Sequence, residues 1–382
     1  MADRPTASST TARDVGGGWR TGDPAAFRKF VDIGAIALEV GTTLPDVRIA
    51  YETWGTLNRA GDNAVFIAHA LTGDAHVEGP TAAGQPTPGW WAGLIGPGAY
   101  IDTDRYFVVA SNVLGGCQGS TGPSSVAPDG LAWGSRFPFL TIRDLVHAES
   151  LVADHLGITS FAAVVGGSMG GMRAIEWSIM YPGRVANAII LGSTAYATSD
   201  QIAWCAPQIA AIEADPHWQG GDYYDTGCAP AVGLGIARSI AHVTYRSEYE
   251  LATRFGRDAQ PGERPLGGRG RYAVESYLDY HRDKLTARFD AGSYVGLTRA
   301  MNSHDIARGR GTLVDALAKT TAELHVAYVS SDRLYPPRLS SEIVHNAPVG
   351  KANLTQIQSD FGHDGFLIEI EQVGQLIQSV LS

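Results

Sequence analysis

Cysteine is scarce in this chain. Three thiols in 382 residues, Cys117, Cys205 and Cys228, are too few and too irregularly spaced for a disulfide framework or a CxxC metal site. Reduced thiols and a cytoplasmic location are therefore expected. Positive charge is short as well: 29 Lys and Arg stand against 39 Asp and Glu, a formal net charge of −10. Sequence-independent nucleic-acid binding needs a basic surface, so no nucleic-acid partner is expected. A small anionic ligand needs only a few local arginines and is not excluded. No apolar run approaches the roughly 20 residues that span a bilayer. The first stretch, "MADRPTASSTTARDVGGGWRTGDP", has no apolar segment of the secretory kind, and its Ser, Thr, Gly and Pro content predicts a flexible arm. No membrane partner is expected. There is no HExxH and no clustered Cys/His spacing, so no metal site is expected either.

What the chain does have is apolar patterning, at 44% hydrophobic residues, and 46 glycines. Over about 35–55, "IALEVGTTLPDVRIAYETWG" reads as two strands joined by a Thr-Thr-Leu-Pro turn. "NAVFIAHAL" (63–71), "RYFVVASNVLG" (105–115), "FAAVVGG" (161–167) and "VANAIILGS" (185–193) are short apolar runs suited to strands covered on both faces. Helical spacing marks 142–157 and 169–182. This alternation predicts an α/β fold with a mostly parallel, doubly wound sheet. It breaks at about 195–320, where helical segments dominate, and resumes with strands at 323–330 and 353–358 and a helix over 366–382. The expected organisation is a flexible arm at 1–25, a core made of 26–194 and 321–382, and a helical cap inserted at 195–320.

"VVGGSMGGMRAIEW" (164–177) places Ser168 between two glycine pairs, at the junction of a strand and a helix. That is G-x-S-x-G in the context that gives the pattern meaning: a sharp turn lifting a serine hydroxyl above the sheet. A structural turn is the bland alternative; a phosphate loop is not, since the Lys-[Ser/Thr] ending is missing. The fold requires an acid and then a histidine after late strands. "VAYVSSDRLYPP" supplies Asp332 and "IQSDFGHDGF" supplies His363, in that order. In such a triad His363 takes the serine proton while Asp332 fixes the imidazole tautomer and supports its charged form. Asp305 and Asp360 are weaker acids for the role, one lying in the cap and the other too near His363. The amide of Met169 at the helix start and that of Leu71 in "AHALTGDAH" are the expected oxyanion donors. His69 and His76 are read as structural, and Cys117 has no base pattern beside it. Met172 and Arg173 follow the serine, and nothing in the sequence decodes them.

"HALTGDAH", "PTPGWWAGLIGPG", "NVLGGCQGSTGPSS", "WGSRFP", "GGSMGGMRAIEW", "SDRLYPP" and "GHDGFL" together resemble the homoserine O-acetyltransferase family of α/β-hydrolase-fold enzymes, over about residues 30–380. The resemblance implies ping-pong transfer of an acetyl group from acetyl-CoA, a co-substrate rather than a resident cofactor, to the hydroxyl of L-homoserine in methionine biosynthesis. It implies that Ser168 is the acetylated nucleophile, that Asp364 holds the substrate ammonium, and that Arg238 and Tyr245 in "IARSIAHVTYR" hold the amino acid. It also implies a homodimer through the cap helices, where Trp204, Tyr223 and Tyr224 either face a partner or line the cap's own core. Relatives in the superfamily transfer succinyl groups or acylate serine, and spacing does not separate these from acetyl and homoserine. A serine esterase or other hydrolase using water as acceptor is the more remote alternative.

Overall fold

The computed structural model describes residues 17–382. Eight strands form one sheet: β1 (Lys29–Ala37), β2 (Thr43–Trp54), β3 (Ala64–Ala68), β4 (Phe107–Ser111), β5 (Phe161–Gly167), β6 (Asn187–Leu191), β7 (Glu323–Val329) and β8 (Ala352–Ile357). Their spatial order is β1-β2-β4-β3-β5-β6-β7-β8. Only the β1–β2 and β2–β4 pairings are antiparallel; every later pair is parallel. β3 and β4 are buried at every position, as strands covered on both faces must be.

The first hairpin differs from its sequence reading. Its turn runs over Leu38–Thr42, closed by the Leu38 N–H donating to the Thr42 carbonyl at 2.8 Å, while Thr43, Leu44 and Pro45 already lie in β2. Pro45 survives there because the β1–β2 register shifts between Gly34 and Ile36, next to Asp46 with its φ of 51°. A bulge leaves one residue out of the ladder, so the missing proline N–H costs nothing.

Helices cover both faces. α1 (Ile142–His155) starts at a reciprocal cap, the Thr141 hydroxyl accepting from the Asp144 N–H and the Asp144 carboxylate from the Thr141 N–H at 2.8 Å. α2 (Met169–Met180) is buried from Met169 to Ile179, its Arg173 and Glu176 included. Its Trp177 ring packs 5.3 Å from Phe161 of β5 and 6.0 Å from Phe66 of β3. Between β6 and β7 the chain leaves the sheet for α3 (Ser199–Glu213), α4 (Ala231–Tyr245), α5 (Glu248–Phe255), α6 (Ala273–Thr286), α7 (Ala291–Asn302) and α8 (Leu313–Leu317). α9 (Pro337–Asn346), α10 (Gly365–Ile368) and α11 (Ile370–Leu381) complete the set. The expected closing helix is thus two, broken at Glu369, whose φ/ψ of −82°/57° is not helical.

Within the cap, Tyr223 and Tyr224 are buried and both hydroxyls bond Asp290, at 2.5 and 2.9 Å. They line the interior of this chain, while Trp204 is 40% exposed. Residues 1–16 of the expected arm lie outside the described residues. Within the rest, Trp19 is anchored, its N–H donating to the Cys117 carbonyl at 2.8 Å and its ring lying 5.0 Å from Phe30, while residues 21–25 are exposed. Among the described residues no helix is long and apolar enough to cross a membrane.

The sheet order dictates where chemistry can occur. β4 lies on one side of β3 and β5 on the other, so the chain reverses direction across the sheet there. The crevice beyond the carboxyl ends of such strands is where open α/β sheets bind ligands. β3 runs into the His69–Leu71 loop and β5 into Ser168, with Ala68 and Gly166 paired.

Candidate active site

Ser168 has a φ of 57° and ψ of −122°, a conformation costing on the order of 1–3 kcal/mol for a side-chain-bearing residue. None of the four flanking glycines has a positive φ. They are required for proximity. A Cβ on Gly166 would sit 2.2 Å from the Gly170 carbonyl oxygen, one on Gly170 2.0 Å from the Ala68 oxygen. On Gly167 it would enter the Phe366 ring at 2.3 Å, and on Gly171 it would lie 2.5 Å from Ser193 Cβ. Strand, turn and helix are thus in backbone contact around the serine. The Ser168 N–H donates to the Leu191 carbonyl at 3.0 Å and the Ser193 hydroxyl to the Ser168 carbonyl at 2.8 Å, which hold the turn.

Asp332 and His363 arrive from the ends of β7 and β8. One Asp332 oxygen accepts the N–H groups of Leu334 (2.9 Å) and Tyr335 (2.8 Å); the other meets His363 Nδ1 at 2.7 Å. Both residues are buried. Burial pushes the imidazolium down, but the charge and hydrogen bond of Asp332, with Asp364 added, outweigh it and leave the His363 pKa above its ordinary value. Nε2 has no hydrogen-bond partner among the described residues. The Tyr335 ring stacks on the imidazole at 4.8 Å, and Tyr335 shares a small cavity with Ser168.

Ser168 and His363 face one cavity of about 210 Å³, shared with Leu71, Arg238, Tyr245 and Asp364. The structure therefore brings the predicted side chains together on one space. Met169 opens α2, so its N–H has no helical carbonyl to bond. Arg238 lies over the Tyr245 ring at 5.6 Å, with its Nε buried and unpaired. Asp364 faces Arg246 Nε at 3.3 Å; burial raises its carboxyl pKa against the opposing pull of Arg246, His363 and Arg238. A second, smaller cavity of about 40 Å³ also opens on Ser168 and Leu71, between Met172, Cys205 and Tyr335.

Residues 63–369 match the family described as having the α/β-hydrolase fold. The homoserine O-acetyltransferase of Thermobifida fusca is 58% identical over 96% of this chain and 97% of its own. That of Mycobacterium tuberculosis is 56% identical over 92% of each. The chain belongs to the homoserine O-acetyltransferase family. It is an enzyme of the α/β-hydrolase fold. Among solved structures, the homoserine O-acetyltransferase of Bacillus anthracis superposes with a TM-score of 0.84 at 28% identity, covering 93% of this chain and 97% of that one. Esterase E22 matches with a TM-score of 0.84 at 27% identity, covering 93% and 99%.

Membership in the homoserine O-acetyltransferase family leaves several site residues that sequence reasoning missed. Arg246 follows Tyr245 directly, and Tyr335 sits three positions after Asp332; proximity to residues already singled out was the available signal. Arg288 and Lys284 line the larger cavity, and the Arg288 guanidinium donates to the Thr72 carbonyl at 2.8 Å. No sequence pattern announces them, because α6 and the turn after it reach the cavity only through the fold of the cap. Cys117 is buried, accepts the Asp290 N–H at 3.4 Å, and has its thiol pKa driven upward by burial, unlike a reactive thiol. His76 is held between Glu52 at 3.0 Å and the Pro80 carbonyl at 3.1 Å. No group of three or more His, Cys, Asp or Glu able to hold a metal occurs among the described residues.

Proposed function

We propose that this enzyme moves an acetyl group from acetyl-CoA to the hydroxyl of L-homoserine through an acetyl-Ser168 intermediate, making an activated homoserine for methionine biosynthesis. Ser168 Oγ attacks the thioester carbonyl as His363 Nε2 accepts its proton, and Asp332 steadies the resulting imidazolium. The carbonyl electrons move onto oxygen, facing the Leu71 and Met169 amides. Collapse expels the CoA sulfur, which takes the proton from His363. Homoserine then repeats the sequence in reverse: its hydroxyl attacks the acyl-serine, His363 takes that proton, and Ser168 leaves with it. Arg238 and Tyr245 receive the α-carboxylate and Asp364 the ammonium, so the hydroxyl is delivered at high effective concentration.

The observation that carries this reading is one cavity holding a serine, a histidine with an open Nε2, a guanidinium and a carboxylate. Homoserine presents the complementary charges. Acetyl is favoured over succinyl because the smaller cavity beside Ser168 is about 40 Å³ and no Lys, Arg or His lines it. The thiols are all unpaired, consistent with reducing cytoplasm. Exposed Ile202, Trp204, Val232 and Ile236 on α3 and α4 are the surface we assign to a homodimer. The similarity to esterase E22 favours a second reading, ester hydrolysis by the same triad.

Mass spectrometry after brief exposure to acetyl-CoA or succinyl-CoA separates these. One acetyl on Ser168, stable in buffer and discharged by homoserine, is expected. An adduct on another residue, or none, rejects the mechanism; discharge by water as fast as by homoserine selects the esterase reading.

A further inference from the structure

His69 lies outside the triad, yet both of its ring nitrogens are tied to backbone, one to Val113 and the other to the Ala70–Leu71 peptide. The Val113 N–H donates to His69 Nε2 at 3.2 Å. An imidazole nitrogen that accepts carries no proton, so in the neutral ring the hydrogen sits on Nδ1. Nδ1 lies 2.8 Å from the Ala70 carbonyl oxygen and donates to it. The same oxygen accepts the Gly73 N–H at 2.9 Å, which occupies both its lone pairs. That carbonyl belongs to the Ala70–Leu71 amide, whose other end is the Leu71 N–H. Because the amide is planar and trans, fixing the oxygen fixes the direction of the N–H. Donation into the oxygen also polarises the group and strengthens the N–H as a donor, by something like 10–30% per bond.

A second tie fixes this loop against the serine. Arg173, on the buried face of α2, donates from Nη2 to the His69 carbonyl and from Nη1 to Glu149. The other Glu149 oxygen accepts Trp177 Nε1 at 2.8 Å. Arg173 and His69 are 0% and 2% exposed. Ser168 and Met169 start the helix whose next turn grips the residue two before Leu71. Burial first, and Arg173 second, push the His69 imidazole down to about 3, so it stays neutral at working pH and keeps its Nδ1–H.

We propose that His69 is a positioning residue for acyl transfer: its Nδ1–H holds and polarises the Ala70–Leu71 peptide so that the Leu71 N–H meets the developing oxyanion, while Arg173 registers that loop to the elbow helix. This rests on the acyl-transfer reading above. It differs from a packing role because it acts through one particular hydrogen bond.

His69→Asn, His69→Gln and His69→Ala separate the two. The Asn amide nitrogen stands near the place of Nδ1 and can keep the bond to Ala70; Gln reaches toward Nε2 and keeps only the Val113 side. Single-turnover thiol release from acetyl-CoA, KM for homoserine and Tm are measured on each. Outright loss of an oxyanion donor costs about 10²–10³ in rate, so a misdirected one predicts acylation about 10–100-fold slower in Gln and Ala, with homoserine KM changed by less than about twofold. Asn retains most of the rate. Acylation by Gln equal to or faster than by Asn overturns the proposal. ¹⁵N spectra of the wild-type histidines give a reading independent of variant folding: a proton on His69 Nδ1 is expected, and one on Nε2 overturns the proposal. Wild-type protein that never labels Ser168 overturns both this and the acyl-transfer reading. Normal wild-type labelling with all three variants unimpaired overturns the positioning role alone.

Discussion

Gly170→Ala is a one-carbon change whose consequence can be worked from the backbone. The added Cβ would lie 2.0 Å from the Ala68 carbonyl oxygen and 3.2 Å from that of His69, and Cβ atoms essentially never approach within 3.0 Å. About 1 Å of relief is needed between the start of α2 and the end of β3. Neither side yields freely. Ala68 is paired with Gly166 in the sheet, and α2 is buried along nearly its whole length. Overpacking of this kind costs roughly 1–3 kcal/mol. The displacement falls between Met169 and Leu71, the two amides assigned to the oxyanion, and an error of 1 Å in such a site is worth about 10²-fold in rate. Gly183, just beyond the other end of α2, is the control: its φ is 88° and nothing stands within 4 Å of a Cβ. Gly183→Ala carries only the left-handed penalty, about 1–2 kcal/mol. Stopped-flow thiol release from acetyl-CoA, with thermal melts, reads both variants. Gly170→Ala is expected to lose about 10²-fold in acylation, and Gly183→Ala to lose stability with its rate intact. If Gly170→Ala acylates like wild type, the account of the glycine cluster is wrong.

Ser168→Ala removes the nucleophile from a residue only 6% exposed, so acetyl transfer is abolished and the far-UV circular dichroism is unchanged; full residual transfer contradicts the triad. The His363 pKa is raised by Asp332 against burial, and the base must be neutral to act. The acid limb of kcat/KM is therefore expected above the usual 6.5 of an imidazole, and in Asp332→Asn it moves to lower pH as the rate falls; an unmoved limb rejects His363 as the titrating base. Asp364→Asn is expected to raise KM for homoserine at least tenfold while single-turnover acylation by acetyl-CoA changes little. Equal losses in the two half-reactions count against its place at the substrate ammonium.

The parts of this enzyme legible in the sequence are those where local pattern and tertiary position coincide. "FAAVVGG" is a strand because an apolar run without polar alternation has no solvent face to serve, and it maps onto β5 residue for residue. Ser168, Asp332 and His363 are each a residue or a short turn beyond a strand end, so the sheet alone brings them to one edge. Pro45 misled because a bulge, a property of the β1–β2 register, excused it from the ladder. Arg173 was unreadable for a different reason. Its meaning lies in the His69 carbonyl and in Glu149, which only the packing of α1, α2 and the β3 loop places beside it. Tyr223 and Tyr224 were ambiguous for the same cause: their partner, Asp290, stands at the start of α7.

One triad on one fold serves transferases and esterases alike, so the choice of acceptor has to come from the cap. Around the larger cavity, Arg238, Arg246, Lys284 and Arg288 outnumber the single carboxylate of Asp364. A space with that surplus is biased toward anions, which suits both a carboxylate and a phosphate-bearing acyl donor. Asp364 already has a charged neighbour: Arg246 Nε stands 3.3 Å away but makes no proper hydrogen bond. On the proposed assignment, an incoming ammonium competes with that loose contact and gains direct hydrogen bonds that Arg246 does not make, whereas water gains neither this nor the Arg238 interaction. Acceptor selection would then rest on charges located in α4 and the turn after β8, away from the serine. Arg246→Met tests this: relieved of its competitor, Asp364 is expected to bind homoserine more tightly, with KM lowered several-fold and Ser168 acylation unchanged. A raised KM would mean that Arg246 orients Asp364 rather than competing for it.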